Sequence, residues 1–382
     1  MRWRRGLLLG VGALLVLGIG AGAVYLVPRW PAIRCLLAFT EEAPPEGTAP
    51  AGIERVRDVA RYGVTDAWLA RPAGDGPRPL LLFVAGIAPK GIGDPRIVRA
   101  VDAFRRGGFV VIAPLIPGLV DPGAENRDTE SLGRLLSAVE RGAIDGVDPD
   151  RSGVVAISVG APYALRALAR HVQAGGRRPD AFLAIGAPAD FDRCAKRWFD
   201  TPRLGKEKPE NQEDELRHAA DLARNMLWRN AVQKIVQDDA DAGRINAWLA
   251  EKWVPEQAPT DLQTDTARAY AAMILGAPEG WRVRRDEVLA AADRWTEWLS
   301  PIRFVDELAP LRDLPIFLLH GVTDPLVPVS ELQPLADLLA PNHPVTTLRS
   351  RMISHVNVGD VGYGERLDHV DFMDGFFDAV ND

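Results

Sequence analysis

The sequence has little cysteine and no excess of positive charge. Cys35 and Cys194 are its only cysteines, which excludes a disulfide framework and a multi-cysteine zinc site. The two thiols could pair in an oxidising compartment, but two buried free thiols are the simpler interpretation. The 45 basic and 52 acidic residues leave a net charge of −7, and no basic cluster offers the surface that a phosphate backbone needs. A nucleic-acid partner is therefore not expected.

Charged residues are also missing from one long stretch near the amino terminus. Residues 6–27 form 22 uncharged, mostly apolar positions after three arginines. At about 1.5 Å per residue they match the roughly 30 Å of a bilayer's hydrocarbon core. The sequence thus predicts a single-pass membrane anchor in residues 1–30, with the body of the protein outside the cytoplasm. The alternative is a signal peptide cleaved after the small residues 21–23, which would make the protein secreted.

The remainder of the chain has the composition of a globular protein, with 47% hydrophobic and 25% charged residues. Short apolar runs alternate with amphipathic helical patterns, which predicts βα units around a mostly parallel sheet. Strands are expected at Val56 to Tyr62, Val64 to Ala70, Leu80 to Val84, Val110 to Pro114, Gly153 to Ile157, Phe182 to Ile185, Ile316 to Leu319 and Val345 to Arg349.

One long segment interrupts this alternation. Residues 188–311 have helical spacing and no convincing strand, so we interpret them as an inserted helical cap. Residues 54–187 and 312–382 then form the two parts of one core domain, and residues 31–53 are expected to be a linker. Seven of the ten tryptophans lie in the cap. They could line an apolar pocket, although a role in the core of the cap is favoured.

Ser158 is the candidate nucleophile, because reactive side chains are expected at the carboxyl ends of parallel strands. It follows the run Gly153 to Ile157 and precedes a helical pattern, with the small residues Ala156 and Gly160 two positions away on either side. Such a turn exposes a serine hydroxyl. It also directs the next backbone N–H, that of Val159, toward the oxygen that gains charge during acyl transfer. A helix N-cap is the alternative role for Ser158.

A serine nucleophile needs a histidine base and a carboxylate that orients the base. Of the six histidines, His355 comes just after the last predicted strand, where a base can reach over the sheet edge. A surface-loop histidine is the alternative. His320 is expected to bond the backbone, and His369, in a helical pattern, to be exposed or capping. Asp324 follows the preceding strand in a T-D-P turn, a sequence that also forms ordinary turns.

A glycine-rich loop follows the predicted strand at Leu80 to Val84. In this loop the N–H of Ile87 could be a second donor to the same oxygen as the N–H of Val159. A simple glycine turn is the alternative.

These motifs, in this order, resemble those of the α/β-hydrolase superfamily over residues 54–187 and 312–382. Ala156 departs from the first glycine of G-x-S-x-G, but it is also small. The resemblance implies an α/β fold with an eight-stranded, mostly parallel sheet, flanking helices and a helical cap. It also implies a nucleophile, a base, an acid and two oxyanion-hole amides, which are Ser158, His355, Asp324 and the N–H groups of Ile87 and Val159.

The function implied is a serine hydrolase that cleaves carboxylic esters, with a small-molecule or lipid-like ester as substrate and no metal or organic cofactor. Three alternatives stay open. The same residues could cleave amides, or transfer the acyl group to an acceptor. The body could also be an inactive binding module on a membrane anchor.

Overall fold

The structure is a computed structural model. It describes residues 25–59, 64–87, 90–120, 127–204, 211–251, 257–276, 281–292, 297–354, 357–358 and 362–382.

One large sheet organises the molecule. Its strands are β1 (Ile53–Val59), β2 (Val64–Ala70), β3 (Arg78–Val84), β4 (Val110–Pro114), β5 (Val147–Ile157), β6 (Ala181–Ile185), β7 (Ile316–Gly321) and β8 (Val345–Ser350). Their order across the sheet is β1-β2-β4-β3-β5-β6-β7-β8. β2 is antiparallel to both of its neighbours, and the pairs from β4–β3 to β7–β8 are parallel.

This strand order identifies the α/β-hydrolase fold and confirms the predicted fold class. The predicted strands correspond to β1 to β8, and two of them, β2 and β4, have the predicted bounds. A further hairpin, β9 (Ile353–Ser354) and β10 (Asn357–Val358), follows β8.

Thirteen α-helices are described in these residues, besides short 3₁₀ helices at Gly91–Gly93, Val305–Leu311 and Val329–Glu331. The α-helices are α1 (Trp30–Thr40), α2 (Pro95–Arg106), α3 (Pro117–Val120), α4 (Arg127–Glu140), α5 (Gly160–Gln173), α6 (Phe191–Asp200), α7 (Gln212–Val236), α8 (Asp239–Glu251), α9 (Asp265–Ile274), α10 (Trp281–Ala291), α11 (Pro301–Phe304), α12 (Leu332–Leu339) and α13 (Tyr363–Asn381).

Both faces of the sheet are covered, which explains why its strands are apolar throughout. Along β3, Leu80, Leu82 and Val84 face α4, α5 and the cap, whereas Leu81 and Phe83 face α1, α2 and α13. Burial of alternate side chains on opposite faces follows from the two-residue period of a strand. The core therefore consists of two apolar layers, one on each side of the sheet.

The prediction of a membrane anchor over residues 6–27, and of a single-pass membrane protein, has to be corrected. Among the residues that the structure describes, none of the helices is long and apolar enough to cross a membrane. The helix that follows this stretch, α1, has 11 residues, which rise about 16 Å against the roughly 30 Å of a hydrocarbon core. Residues 1–24 lie outside the described part of the chain.

α1 occupies the first part of the segment expected to be a linker. Its residues Ala32, Cys35 and Ala38 are buried against the sheet domain. Its start is held to α13, because Tyr25 Oη and Arg29 Nε both donate to Asp371, at 2.7 and 2.8 Å. α1 is thus an integral element of the core and not a free tether.

The described part of residues 188–311 contains helices and loops without a strand. α7 lies in the part of this segment where helical spacing was seen in the sequence, and it packs against α6, α8, α9 and α10. Trp198 and Trp228 are buried within this helical layer. The cap is joined to the core by the indole of Trp198, whose Nε1 donates to the carbonyl oxygen of Leu326 at 2.8 Å.

Candidate active site

Ser158 lies in the turn between β5 and α5, at the carboxyl edge of the sheet. Its φ is +53°, a left-handed conformation that is unfavourable for a residue with a side chain. The turn is held by the Ser158 N–H, which donates to the Ile185 carbonyl at 2.8 Å, and by the Ser158 carbonyl, which accepts from Ala161 N at 3.1 Å. These hydrogen bonds thus hold Ser158 in a strained backbone conformation.

The residues around Ser158 are small because the loop after β3 lies against the turn. A Cβ at Gly160 would collide with the carbonyl oxygen of Ala85 and lie 2.9 Å from that of Val84, and a Cβ at Gly86 would lie 3.0 Å from the Cβ of Ser158. Ala156 pairs with Val84 and is fully buried in the sheet. A methyl group fits at Ala156, which explains why a glycine is not required there.

The two amides expected to form an oxyanion hole flank this turn. Val159 is helical and stands at the start of α5, and Ile87 follows Gly86 and lines the cavity over Ser158. Within the described ranges, neither N–H donates to a loop or turn carbonyl. Their common target remains a prediction, and residues 88–89 of the same loop are not among those described.

Asp324 is buried in the turn after β7. Its Oδ1 accepts from the N–H groups of Leu326 and Val327, both at 2.8 Å, and its Oδ2 lies 3.7 Å from Nε2 of His320. That Nε2 lies 2.8 Å from the carbonyl oxygen of Val327, so it donates there, and the backbone bond expected of His320 is confirmed. These bonds fix the carboxylate in one orientation.

His355 lies outside the described residues, so its pairing with Asp324 stays a prediction. The two residues that precede it, Ile353 and Ser354, are described and lie against the end of β7. A Cβ at Gly321 would collide with the Ile353 carbonyl and lie 3.2 Å from the Cα of Ser354. The chain that leads to His355 therefore runs beside the turn that carries Asp324.

A buried serine–histidine pair holds the start of that loop. Nδ1 of His369 lies 2.7 Å from the carbonyl oxygen of Glu365, and its Nε2 lies 2.8 Å from Oγ of Ser350. Because a carbonyl oxygen only accepts, Nδ1 carries the proton and the Ser350 hydroxyl donates to Nε2. The same Oγ accepts from Ile353 N at 3.0 Å. His369 is completely buried, so the prediction that it is exposed or capping is wrong.

Ser158 opens into a cavity of about 210 Å³. Most of its wall is apolar, as in ligand pockets generally. Leu36 and Phe39 of α1 form one side, and Leu222, Ala223 and Met226 of α7 form another. The cap thus contributes aliphatic residues and methionine, and no tryptophan is found among the lining residues that the structure describes. The favoured interpretation, in which the tryptophans form the core of the cap, agrees with the buried Trp198 and Trp228.

The charged side chains that line the described wall of the cavity belong to the first turns of α2. Asp94 caps this helix, and its carboxylate accepts from the amide and the guanidinium of Arg96 at 2.6 to 2.9 Å. Burial would raise the pKa of Asp94, but these hydrogen bonds outweigh it and hold the pKa below its usual range. For Arg99, burial and the nearby charge of Arg96 lower the pKa.

Both cysteines are free and buried, which agrees with the favoured interpretation. Cys35 packs on the α1 side of the sheet and Cys194 on the cap side. Burial raises the pKa of each thiol well above its usual value, so both resist ionisation. No cluster of three or more His, Cys, Asp or Glu side chains suited to a metal ion is present in the described part of the chain.

Comparisons with known proteins identify similar solved structures at low identity. No family model matches the chain, and no curated protein matches it. Carboxyl esterase 2 from the fungus Tuber melanosporum is 14% identical, with 89% of each chain covered and a TM-score of 0.46. A mutant of the esterase rPPE is 15% identical, with 92% of this chain and 89% of that chain covered and a TM-score of 0.48.

A Pyrococcus horikoshii acylaminoacyl peptidase is 13% identical, with 85% of this chain covered and a TM-score of 0.41. This chain covers 41% of that peptidase. At such identities and TM-scores nothing about activity is transferred from these proteins. The fold of this chain is identified from its strand order and from the turn at Ser158.

Sequence reasoning missed the contribution of α1 and of the first turns of α2 to the cavity. Leu36 and Phe39 lie in the segment expected to be a linker, and Arg99 was not among the candidate site residues. The signal available in the sequence was the Asp94-Pro95 pair, which is typical of a helix start. It places α2 directly after the glycine-rich loop, and therefore close to Ser158.

Proposed function

We propose that this protein is a serine hydrolase that cleaves carboxylic esters through an acyl-enzyme. The observation that carries the proposal is Ser158, a serine held at φ +53° between β5 and α5, with its side chain on an apolar cavity. A serine that serves only as an N-cap has an extended backbone and gains nothing from this strained conformation. Strain of this kind is typical of nucleophile turns.

In the proposed reaction, Oγ of Ser158 attacks the ester carbonyl carbon while His355 takes the hydroxyl proton. The N–H groups of Ile87 and Val159 stabilise the negative charge that develops on the carbonyl oxygen. The carbon–oxygen bond to the alcohol breaks, and His355 returns the proton to the leaving alcohol. A water molecule then attacks the acyl-enzyme by the same steps, which releases the acid and restores Ser158.

The assignment of Asp324 and His355 is supported by three observations. The Asp324 carboxylate is buried and fixed by two backbone N–H groups. Gly321 permits residues 353–354 to approach the Asp324 turn. The Ser350–His369 pair anchors the beginning of the loop that contains His355. In this proposal Asp324 orients the imidazole and stabilises its protonated form.

A fluorophosphonate probe tests the nucleophile directly. We expect the wild-type chain to be labelled, Ser158→Ala and His355→Ala to lose labelling, and Ser137→Ala, which changes a serine on α4, to retain it. Rates of ester hydrolysis are expected to fall by about 10⁴-fold or more in Ser158→Ala and His355→Ala. Labelling that persists in Ser158→Ala, with wild-type circular dichroism for every variant, would overturn the assignment.

Matched ester and amide substrates test the substrate class. We expect the ester of a short acid to be cleaved faster than its amide, because the small apolar cavity offers few polar groups to a peptide backbone. A preference for the amide would identify a peptidase or amidase instead. Products that appear only with an added alcohol or amine would identify an acyltransferase.

A further inference from the structure

The cavity over Ser158 has an unbalanced positive charge on its α2 side. Among the described residues that line it, the charged groups are Asp94, Arg96 and Arg99. Asp94 and Arg96 neutralise each other through two side-chain hydrogen bonds at 2.9 and 2.6 Å. The guanidinium of Arg99 therefore remains as the net charge of an otherwise apolar wall.

Arg99 has few hydrogen-bond partners for a partly buried guanidinium. Its Nη1 donates to the carbonyl oxygen of Glu41 at 3.3 Å, and its Nε is buried without a partner among the described residues. The nearby carboxylates are already engaged, since Glu41 binds Arg106 and Asp102 binds Arg105 and Arg106. Nε is enclosed by the protein and out of reach of a ligand, whereas Nη2 has no hydrogen-bond partner among the described residues and can take an acceptor.

We propose that an anionic group of the substrate binds the Nη atoms of this guanidinium, so that the cavity takes an ester whose acyl chain ends in a carboxylate, with Arg99 as the residue that binds this carboxylate. The ester carbonyl lies at Ser158 and the apolar chain crosses the wall formed by α1 and α7. Arginine suits this role because it stays protonated and binds a carboxylate through more than one N–H. At about 210 Å³ the cavity is below the usual 300 to 1,000 Å³ of ligand pockets, so the chain is short.

This specificity rests on the proposed hydrolysis, and kinetics test it with two substrates of equal chain length. The para-nitrophenyl esters of pentanoic acid and of glutaric acid differ by a terminal carboxylate on the acyl chain. We expect kcat/KM of the glutarate ester, relative to that of the pentanoate ester, to fall about ten- to a hundredfold in Arg99→Met, as the loss of a charged hydrogen bond implies.

Two further variants separate recognition from structure and from general electrostatics. Arg99→Lys keeps the charge and should restore part of the preference for the glutarate ester. Arg105→Met removes the same charge from the same helix outside the cavity, and should leave the ratio of the two substrates unchanged. An equal fall for both esters in Arg99→Met would mean that Arg99 is only structural, and would overturn the proposal.

A binding measurement distinguishes failure of this proposal from failure of the proposed function. Calorimetric titration of Ser158→Ala with monomethyl glutarate and with methyl pentanoate does not require turnover. We expect monomethyl glutarate to bind more tightly, and Arg99→Met in the same background to lose that difference. Equal binding of the two esters would overturn the carboxylate site even if ester hydrolysis is observed. A preference for monomethyl glutarate without hydrolysis would support the site and contradict the enzyme.

Discussion

The sheet domain and the cap differ in where their buried polar and charged side chains lie. In the sheet domain, buried polar residues near the site, such as Asp324, Ser350 and His369, gather at the carboxyl edge, and both faces of the sheet are apolar. In the cap, by contrast, charged residues lie inside the helical layer itself, among them Asp221 and Arg224, which are 2% and 0% exposed. The sheet is thus stabilised chiefly by burial, whereas the cap also depends on specific polar contacts.

The Asp221–Arg224 pair shows what those contacts accomplish. Arg224 donates to Asp221 and to the carbonyl oxygens of Trp198 and Thr201, all at 2.5 Å. These two carbonyls belong to the end of α6, where helix termini leave acceptors unsatisfied. The Asp221 carboxylate in turn accepts from Leu204 N at 3.0 Å. One buried ion pair therefore joins α7 to the end of α6 and to the segment after it.

The largest expected effect comes from breaking this pair. Arg224→Met leaves the buried carboxylate of Asp221 without its main partner, and should lower the free energy of unfolding of the cap by about 3–5 kcal/mol. Urea unfolding followed by tryptophan fluorescence reports mainly on the cap, which holds seven of the ten tryptophans, whereas far-UV circular dichroism reports on the whole chain.

The double variant with Asp221→Asn provides the control for Arg224→Met. The double variant should lose less stability than the two single variants lose in sum, because no unpaired charge remains in it. If Arg224→Met costs under about 1 kcal/mol, or if both probes shift together by the same amount, then the cap does not depend on this pair in the way described.

The sheet domain should be most sensitive to added volume, and Gly160→Ala tests this at the turn beside Ser158. Its Cβ would lie against the Ala85 and Val84 carbonyls, and overpacking of this kind costs about 1–3 kcal/mol. Gly133→Ala in α4 is a matched control, because a Cβ there meets no atom within 4 Å; alanine should be neutral or stabilising by up to about 1 kcal/mol in a helix. If both variants lose a similar amount of stability, the turn beside Ser158 is not closely packed.

The smallest expected effect is a difference in acid sensitivity. Hydrogen bonds from Gln263 N, Thr264 and Arg244 outweigh the burial of Asp241 and lower its pKa to about 2. A lowered folded-state pKa contributes stability above the usual value of 3.8, and that contribution is lost as the pH falls toward 2. We expect the free energy of unfolding of the cap, measured by tryptophan fluorescence, to fall over this pH interval. The cap of Asp241→Asn should be less stable at neutral pH, and its stability should change less with pH. If the stability of the cap in this variant changes with pH as steeply as in the wild type, Asp241 is not the cause of the acid sensitivity.

The same contrast explains how much of the molecule the sequence could predict. The strands of the sheet were located because an apolar run is a local signal that burial on both faces imposes. Ser158 and Asp324 followed from their positions after such runs. The cap was recognised only as a helical insertion, because its organisation depends on contacts such as Arg224 with α6 that no local pattern encodes.

Two further residues show the limit of local patterns. His369 belongs to a helix and was expected at its surface, yet its partner Ser350 lies 19 positions earlier in the chain. Arg99 lies on α2, and the nearby side of the cavity is formed by α1, an element expected to be part of a linker, whose buried residues are the small Ala32, Cys35 and Ala38. Both environments exist only in the folded chain, where distant segments meet.

The contact between α1 and α13 also has a consequence for the order in which the protein assembles. Tyr25 and Asp371 are 346 positions apart, so the first described helix rests on the last one. During synthesis, which delivers the amino-terminal part of a chain first, α1 has no complete docking surface until α13 has left the ribosome. Contacts of such long range form late because of the loop-closure entropy that precedes them. The wall that α1 gives to the cavity is therefore completed only after α13 has been made.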